Sequence, residues 1–85
     1  MTRAPKLLAK ALAGNKNLRF DEFTALVEAF GFALARTVGS HRIYAHPEVP
    51  QPLTLQPLQG KAKTYQIRQF LLYVERYNLK MRGDQ

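Results

Sequence analysis

Two histidines, His41 and His46, are the only side chains in the sequence that titrate near neutrality in their ordinary state. His41 stands directly behind Gly39 and Ser40, between two runs that read as strands, "FALARTV" (32–38) and "HRIYAH" (41–46). Gly at the first central position of a two-residue connection predicts a type II′ hairpin turn, with Val38 facing His41 and Arg36 facing Ile43. In that register Phe32, Leu34, Val38 and Ile43 are expected to share the covered face of the hairpin with His41, which sits at its rim. Such a histidine can serve as a general acid or base, or simply as a structural residue, and spacing alone leaves both open. His46 lies five residues on and falls on the opposite face by strand parity. A metal shared by the two is therefore not expected, and Glu48 alone adds too few ligands for zinc. His46 is expected to pack or hydrogen-bond at the strand end before Pro47.

No Ser-His-Asp arrangement is evident, because Ser40 adjoins His41 and no acidic residue lies beside the pair to orient it. Ser40 reads as a turn residue that can also donate a hydrogen bond to a phosphate oxygen. "GKAK" (60–63) lacks the P-loop pattern, yet it sets Lys61 and Lys63 just before a helix start, where backbone N–H groups and the helix dipole favour phosphate. A solvated basic loop is the alternative. Arg68, one turn further on, is a third candidate cation.

Charge points the same way. Thirteen Lys and Arg against six Asp and Glu give the 85-residue chain a net charge of +7. Residues 1–19 hold Arg3, Lys6, Lys10, Lys16 and Arg19 and no acid, whereas 20–30 hold Asp21, Glu22 and Glu28 and no base. Basic ends around an acidic helix suggest a surface facing a polyanion, nucleic acid first and anionic lipid second. RNA carries its own nucleophile, the 2′-hydroxyl, so one histidine and a few cations could cleave it without a metal. With no cysteine there is neither a disulfide framework nor a thiol nucleophile.

These residues need elements to position them. A short amphipathic helix is expected over about 4–13 from Leu7, Leu8, Ala11 and Leu12, broken by "AGNKN". Phe23, Leu26, Val27 and Phe30 mark a second helix at i, i+3, i+4, i+7, with Asp21 and Glu22 in its first turn and Gly31 as its stop. "HPEVPQP" reads as a loop, "LTLQ" (53–56) as a third strand, and "PLQGKAK" as another loop. Thr64 is the expected N-cap of a last helix reaching about Asn78, with Ile67, Phe70, Leu71 and Val74 facing the core. A chain this short forms one small core, so chemistry belongs on a shallow surface. The fold class expected is α+β: a three-stranded antiparallel sheet with helices packed on one face.

"GSHRIYAHP", a following strand and a final helix introduced by "GKAKTYQIRQFL" resemble the HicA-type toxins of toxin–antitoxin pairs, over about residues 19–79. The resemblance implies a fold similar to the double-stranded-RNA-binding domain, with residues 1–18 as an N-terminal helical extension and 80–85 as a tail. It implies metal-independent endoribonuclease activity on mRNA, with His41 catalytic and Gly39 and Ser40 as turn residues. Lys61 and Lys63 match by position the basic loop with which domains of this fold hold phosphate. Arg42 stands where a second histidine is common in the family. The implied partners are RNA and a HicB-type antitoxin; no cofactor, metal or membrane is expected. The apolar run near the N-terminus stops at Lys10, too short for a signal peptide, and no stretch is long enough to span a membrane, so a cytoplasmic location is expected. Two other readings remain open at this point, a non-catalytic RNA-binding module and an interaction domain whose charge serves solubility.

Overall fold

A computed structural model describes residues 4–14 and 18–81. Among them the order is α1 (Ala4–Leu12), α2 (Phe20–Ala29), β1 (Ala33–Val38), β2 (His41–His46), β3 (Val49–Leu55) and α3 (Thr64–Arg76). The strands form one antiparallel sheet in the order β1-β2-β3. Residues 15–17 of the expected break, 1–3 of the extension and 82–85 of the tail lie outside the described residues.

α2 begins with acids at its positive end and ends in a Schellman motif, in which the Phe32 and Gly31 N–H groups donate to the Val27 and Glu28 carbonyls. Phe23, Leu26, Val27 and Phe30 are all buried, as their periodicity requires. α3 closes in the same way through Asn78, in the left-handed region at φ 53°, with buried Leu79 following it. Its N-cap is Lys63 and not Thr64, and its buried residues are Gln66, Ile67, Phe70 and Tyr73, so Leu71 and Val74 lie at the margin of its core face. Phe70 meets the ring edges of Phe23, Phe30 and Phe32 at centroid distances of 5.8, 5.4 and 6.0 Å.

The hairpin has the expected register, Val38 opposite His41 and Arg36 opposite Ile43, with Gly39 at φ 60°. Its facing differs from expectation. A bulge between Leu34 and Arg36 inserts Ala35 and reverses the alternation of β1. Leu34 shares the helix-covered face with Tyr44, whereas Val38, Ile43 and His41 share the other face, and all of β1 is exposed. Tyr44 and His46 are the β2 side chains buried beneath the helices. β3 is also longer than expected, starting at Val49 and running through Pro50 and Pro52. It is an edge strand with an irregular register opposite Tyr44–His46, and there a residue without an N–H group breaks no ladder bond.

α1 docks on α2 through Leu7 and Ala11, which join the core, while Leu12 is exposed. Lys10 pairs with Glu22 at 3.2 Å, and the same carboxylate accepts the Arg19 N–H at 3.0 Å. The Arg19 backbone bond, followed by Lys10, holds Glu22 below the usual glutamate range. A carboxylate with a depressed folded pKa stabilises above its unfolded value and loses that contribution as pH falls through the folded one. As pH falls below about 4, hydrogen-exchange protection should therefore drop in α1 before it drops in α3. Glu22→Gln should bring the same early loss in α1 at neutral pH; equal protection of α1 in parent and variant would refute the coupling.

Candidate functional site

The end of the sheet where β2 begins and β3 ends gathers most of the chemistry. Arg42 pairs with Leu55, so Gln56, one step on, comes opposite His41. Gln56 Nε2 donates to Ser40 Oγ at 2.9 Å, and Lys63 Nζ donates to Gln56 Oε1 at 3.1 Å. The Gln56 N–H donates to Oε1 of buried Gln66 at 3.1 Å, and Gln66 Nε2 donates to Tyr65 Oη at 3.3 Å. One polar chain thus ties the Gly39-Ser40-His41 turn to the start of α3. Ser40 keeps its own O–H, and Lys63 two N–H bonds, for a further acceptor. The α3 N-terminus has no side-chain cap and no acid in its first turn, so its dipole and free N–H groups are uncompensated there.

The lysine loop is a built element. Leu58 and Lys61 exchange both backbone hydrogen bonds around Gln59 and Gly60, which have φ of 53° and 80°, the signature of a type I′ turn. The Phe20 N–H donates to the Gly60 carbonyl and the Ala62 N–H to the Leu18 carbonyl, both at 2.9 Å. The chain before α2 therefore holds the loop from its other side. Lys61 is exposed on this bridge, and Lys63 is half-buried.

His41 is exposed, and its ring makes no hydrogen bond or ion pair with another described residue. Arg68 is likewise exposed and outside the polar chain. Arg42 turns to the helix face, its guanidinium 5.3 Å from the centre of the Phe20 ring, a cation–π contact. His46 is buried, as expected of a structural residue. Its Nε2–H donates to the Phe30 carbonyl at 3.0 Å, and its Nδ1 accepts the Glu48 N–H at 3.0 Å, which fixes one neutral tautomer. Beside it a shallow depression of about 120 Å³ is lined by His46, Glu48, Asn78, Leu79 and Lys80, at the opposite end of β2 from His41. Tyr44 is pushed above the usual tyrosine range, by burial first and then by the Glu28 carboxylate, to which its hydroxyl donates at 3.4 Å. Among the described residues no group of three or more His, Cys, Asp or Glu could hold a metal, and no helix is long and apolar enough to cross a membrane.

Sequence reasoning missed Gln56, Gln66 and Tyr65. The signal was a glutamine at position 66 on the buried stripe of α3, four residues before Phe70, where an apolar residue would be expected. A buried amide needs partners, and this one organises its neighbours.

A three-stranded antiparallel sheet backed by α2 and α3 defines a double-stranded-RNA-binding-domain-like α+β protein, here with a basic end and an N-terminal helix. The family model "HicA toxin of bacterial toxin-antitoxin" matches residues 20–74, more than half of the chain, and the chain belongs to that family. It is therefore the toxin member of a toxin–antitoxin pair, and an antitoxin is its implied partner. Comparison with curated proteins and with solved structures gave no match.

Replacing Gln66 with Leu leaves the Gln56 N–H without its acceptor, and an orphaned donor costs about 1–3 kcal/mol. The Gln56 amide of Gln66→Leu is expected to exchange at least about tenfold faster, with the amides of α2 unchanged. Equal protection at Gln56 would show that the polar chain does not depend on Gln66.

Proposed function

We propose that this toxin is a metal-independent endoribonuclease that cleaves mRNA, with His41 as the general acid–base group. The observation that carries the reading is the Ser40–Gln56–Lys63 chain, which holds the His41 turn beside a cation and an uncapped helix N-terminus. A phosphodiester beside His41 finds the Lys63 ammonium and the Ser40 hydroxyl as donors to its oxygens. His41 takes the proton of the 2′-hydroxyl, the 2′-oxygen attacks phosphorus, and the bond to the 5′-oxygen breaks, leaving a 2′,3′-cyclic phosphate. The departing oxygen takes a proton from water. Negative charge accumulating on the phosphorus oxygens meets preset positive charge, the main electrostatic contribution available to so open a site. Lys61 and Arg68 extend the cationic surface along the strand, and Gly39 shapes the turn.

Purified protein incubated with labelled RNA in EDTA should cut it. His41→Ala should lower the rate by about 10²- to 10⁴-fold while RNA binding and thermal unfolding stay as in the parent, because the ring is exposed and bonds to no described residue. Cleavage at the parental rate would remove His41 from the chemistry. Binding of RNA by the parent without cleavage would favour the non-catalytic module.

The antitoxin we assign is of HicB type, acting in the cytoplasm. A +7 domain gives an acidic inhibitor a fast electrostatic approach. Its footprint is expected over residues 39–41 and 60–68, blocking RNA by occlusion. Hydrogen exchange of the toxin with and without the neighbouring gene product tests this; protection confined to other residues rules out occlusion.

A further inference from the structure

We infer that Tyr65 is a stacking platform for an unpaired nucleobase beside the scissile phosphate, which makes the substrate single-stranded at the cut. The inference rests on the RNA-cleaving reading above and names the substrate class of that site. Of the nine aromatic side chains, seven are buried and Tyr77 is half-buried; Tyr65 alone is exposed, at 57%. The core face of α3 is filled by Gln66, Ile67, Phe70 and Tyr73, so packing gives Tyr65 no role.

Its position does. Tyr65 is the second residue of α3, two after Lys63, in a first turn without an acid. Its hydroxyl accepts from the Gln66 amide, whose oxygen is fixed by the Gln56 N–H, and Gln56 in turn holds Ser40 and Lys63. The ring is thus tethered to the same polar chain as the His41 turn, and less freedom is lost when a ligand settles on it. An aromatic face and an ammonium group joined through one hydrogen-bonded chain supply the pairing that binds single-stranded nucleic acid, the cation taking the phosphate and the ring taking the base. In a duplex both faces of each base are already stacked, so only a splayed-out base can use the ring. The fold alone would suggest duplex RNA; the exposed ring favours a single strand.

The test uses the full chain in a His41→Ala background, so that RNA is bound and not cut. The probe is a fluorescein-labelled oligoribonucleotide of mixed sequence, single-stranded or annealed to its complement, titrated over a salt series. Tyr65→Ala should weaken single-strand binding by about 5- to 150-fold with the slope of log affinity against log salt unchanged. Tyr65→Phe, which keeps the ring and loses its hydroxyl tether, should lose less than Tyr65→Ala, and the affinity of both variants for duplex should match the parent's. Lys63→Ala is the contrast, because loss of a phosphate contact flattens the salt slope. Parental single-strand affinity in Tyr65→Ala overturns the inference alone, and equal loss on single strand and duplex does the same. Unchanged RNA affinity with weakened antitoxin binding would make the ring a protein contact, also against it. Failure of the parent to bind either RNA overturns the RNA reading and this inference together.

Discussion

The placement of Phe70 is the constraint on which the rest of the structure depends. Its ring meets Phe23 and Phe30 of α2 and Phe32 at the entry to β1, all edge to face. Each such pair contributes about 0.5–1.5 kcal/mol beyond burial. The burial of one such side chain contributes about 1.5–3 kcal/mol, against a total stability of about 5–15 kcal/mol for a typical domain. A chain of 85 residues has few other places to gather that much. Gln66 lies one turn before Phe70 on the same helix, so seating the aromatic cluster also sets where Gln66 meets the end of β3. The polar chain of the site is registered by an apolar contact.

The two histidines illustrate how position within one strand decides what a side chain can reach. Both belong to β2, five residues apart, and therefore face opposite sides of the sheet. His46 spends both ring nitrogens on backbone partners and packs against Phe32 at 5.0 Å. A residue so engaged has no lone pair to offer a substrate. His41 spends neither nitrogen on a described residue, because β1 and the start of β2 are exposed. Availability, and not burial, is what the open face supplies.

The elements set by local pattern were legible in the sequence. The apolar stripe of α2, the Gly39-Ser40 turn and the hairpin register each follow from residues close together in the chain. The facing of the hairpin was not, because one inserted residue, Ala35, reverses the alternation and nothing in "FALARTV" marks it. With Phe32 and Leu34 on one face and Val38 on the other, the apolar count no longer tells which side is covered. The prolines of β3 argue against a strand before Leu53, an argument that fails at a sheet edge with an open bonding side. His41, Ser40 and Lys63 could be singled out by type, but their connection runs through Gln56 and Gln66, ten residues apart, and only tertiary structure joins these.

The segment that precedes the family match also bears on the site. Leu18 is fully buried, and its carbonyl, with the Phe20 N–H, pairs with the lysine loop across the Arg19–Lys61 bridge. Arg19 is in turn held by Glu22, which Lys10 of α1 engages. Four polar contacts, with the backbone of residues 18–20 between them, thus link α1 to the loop that carries Lys61 and Lys63. The loop lies between two anchors, the pre-α2 segment on one side and the first turn of α3 on the other. A cationic loop pinned at both ends has a fixed backbone, so in the proposed RNA-binding role less ordering is left to oppose phosphate binding. On that proposal a shallow surface can act as a site in a domain too small to enclose its ligand.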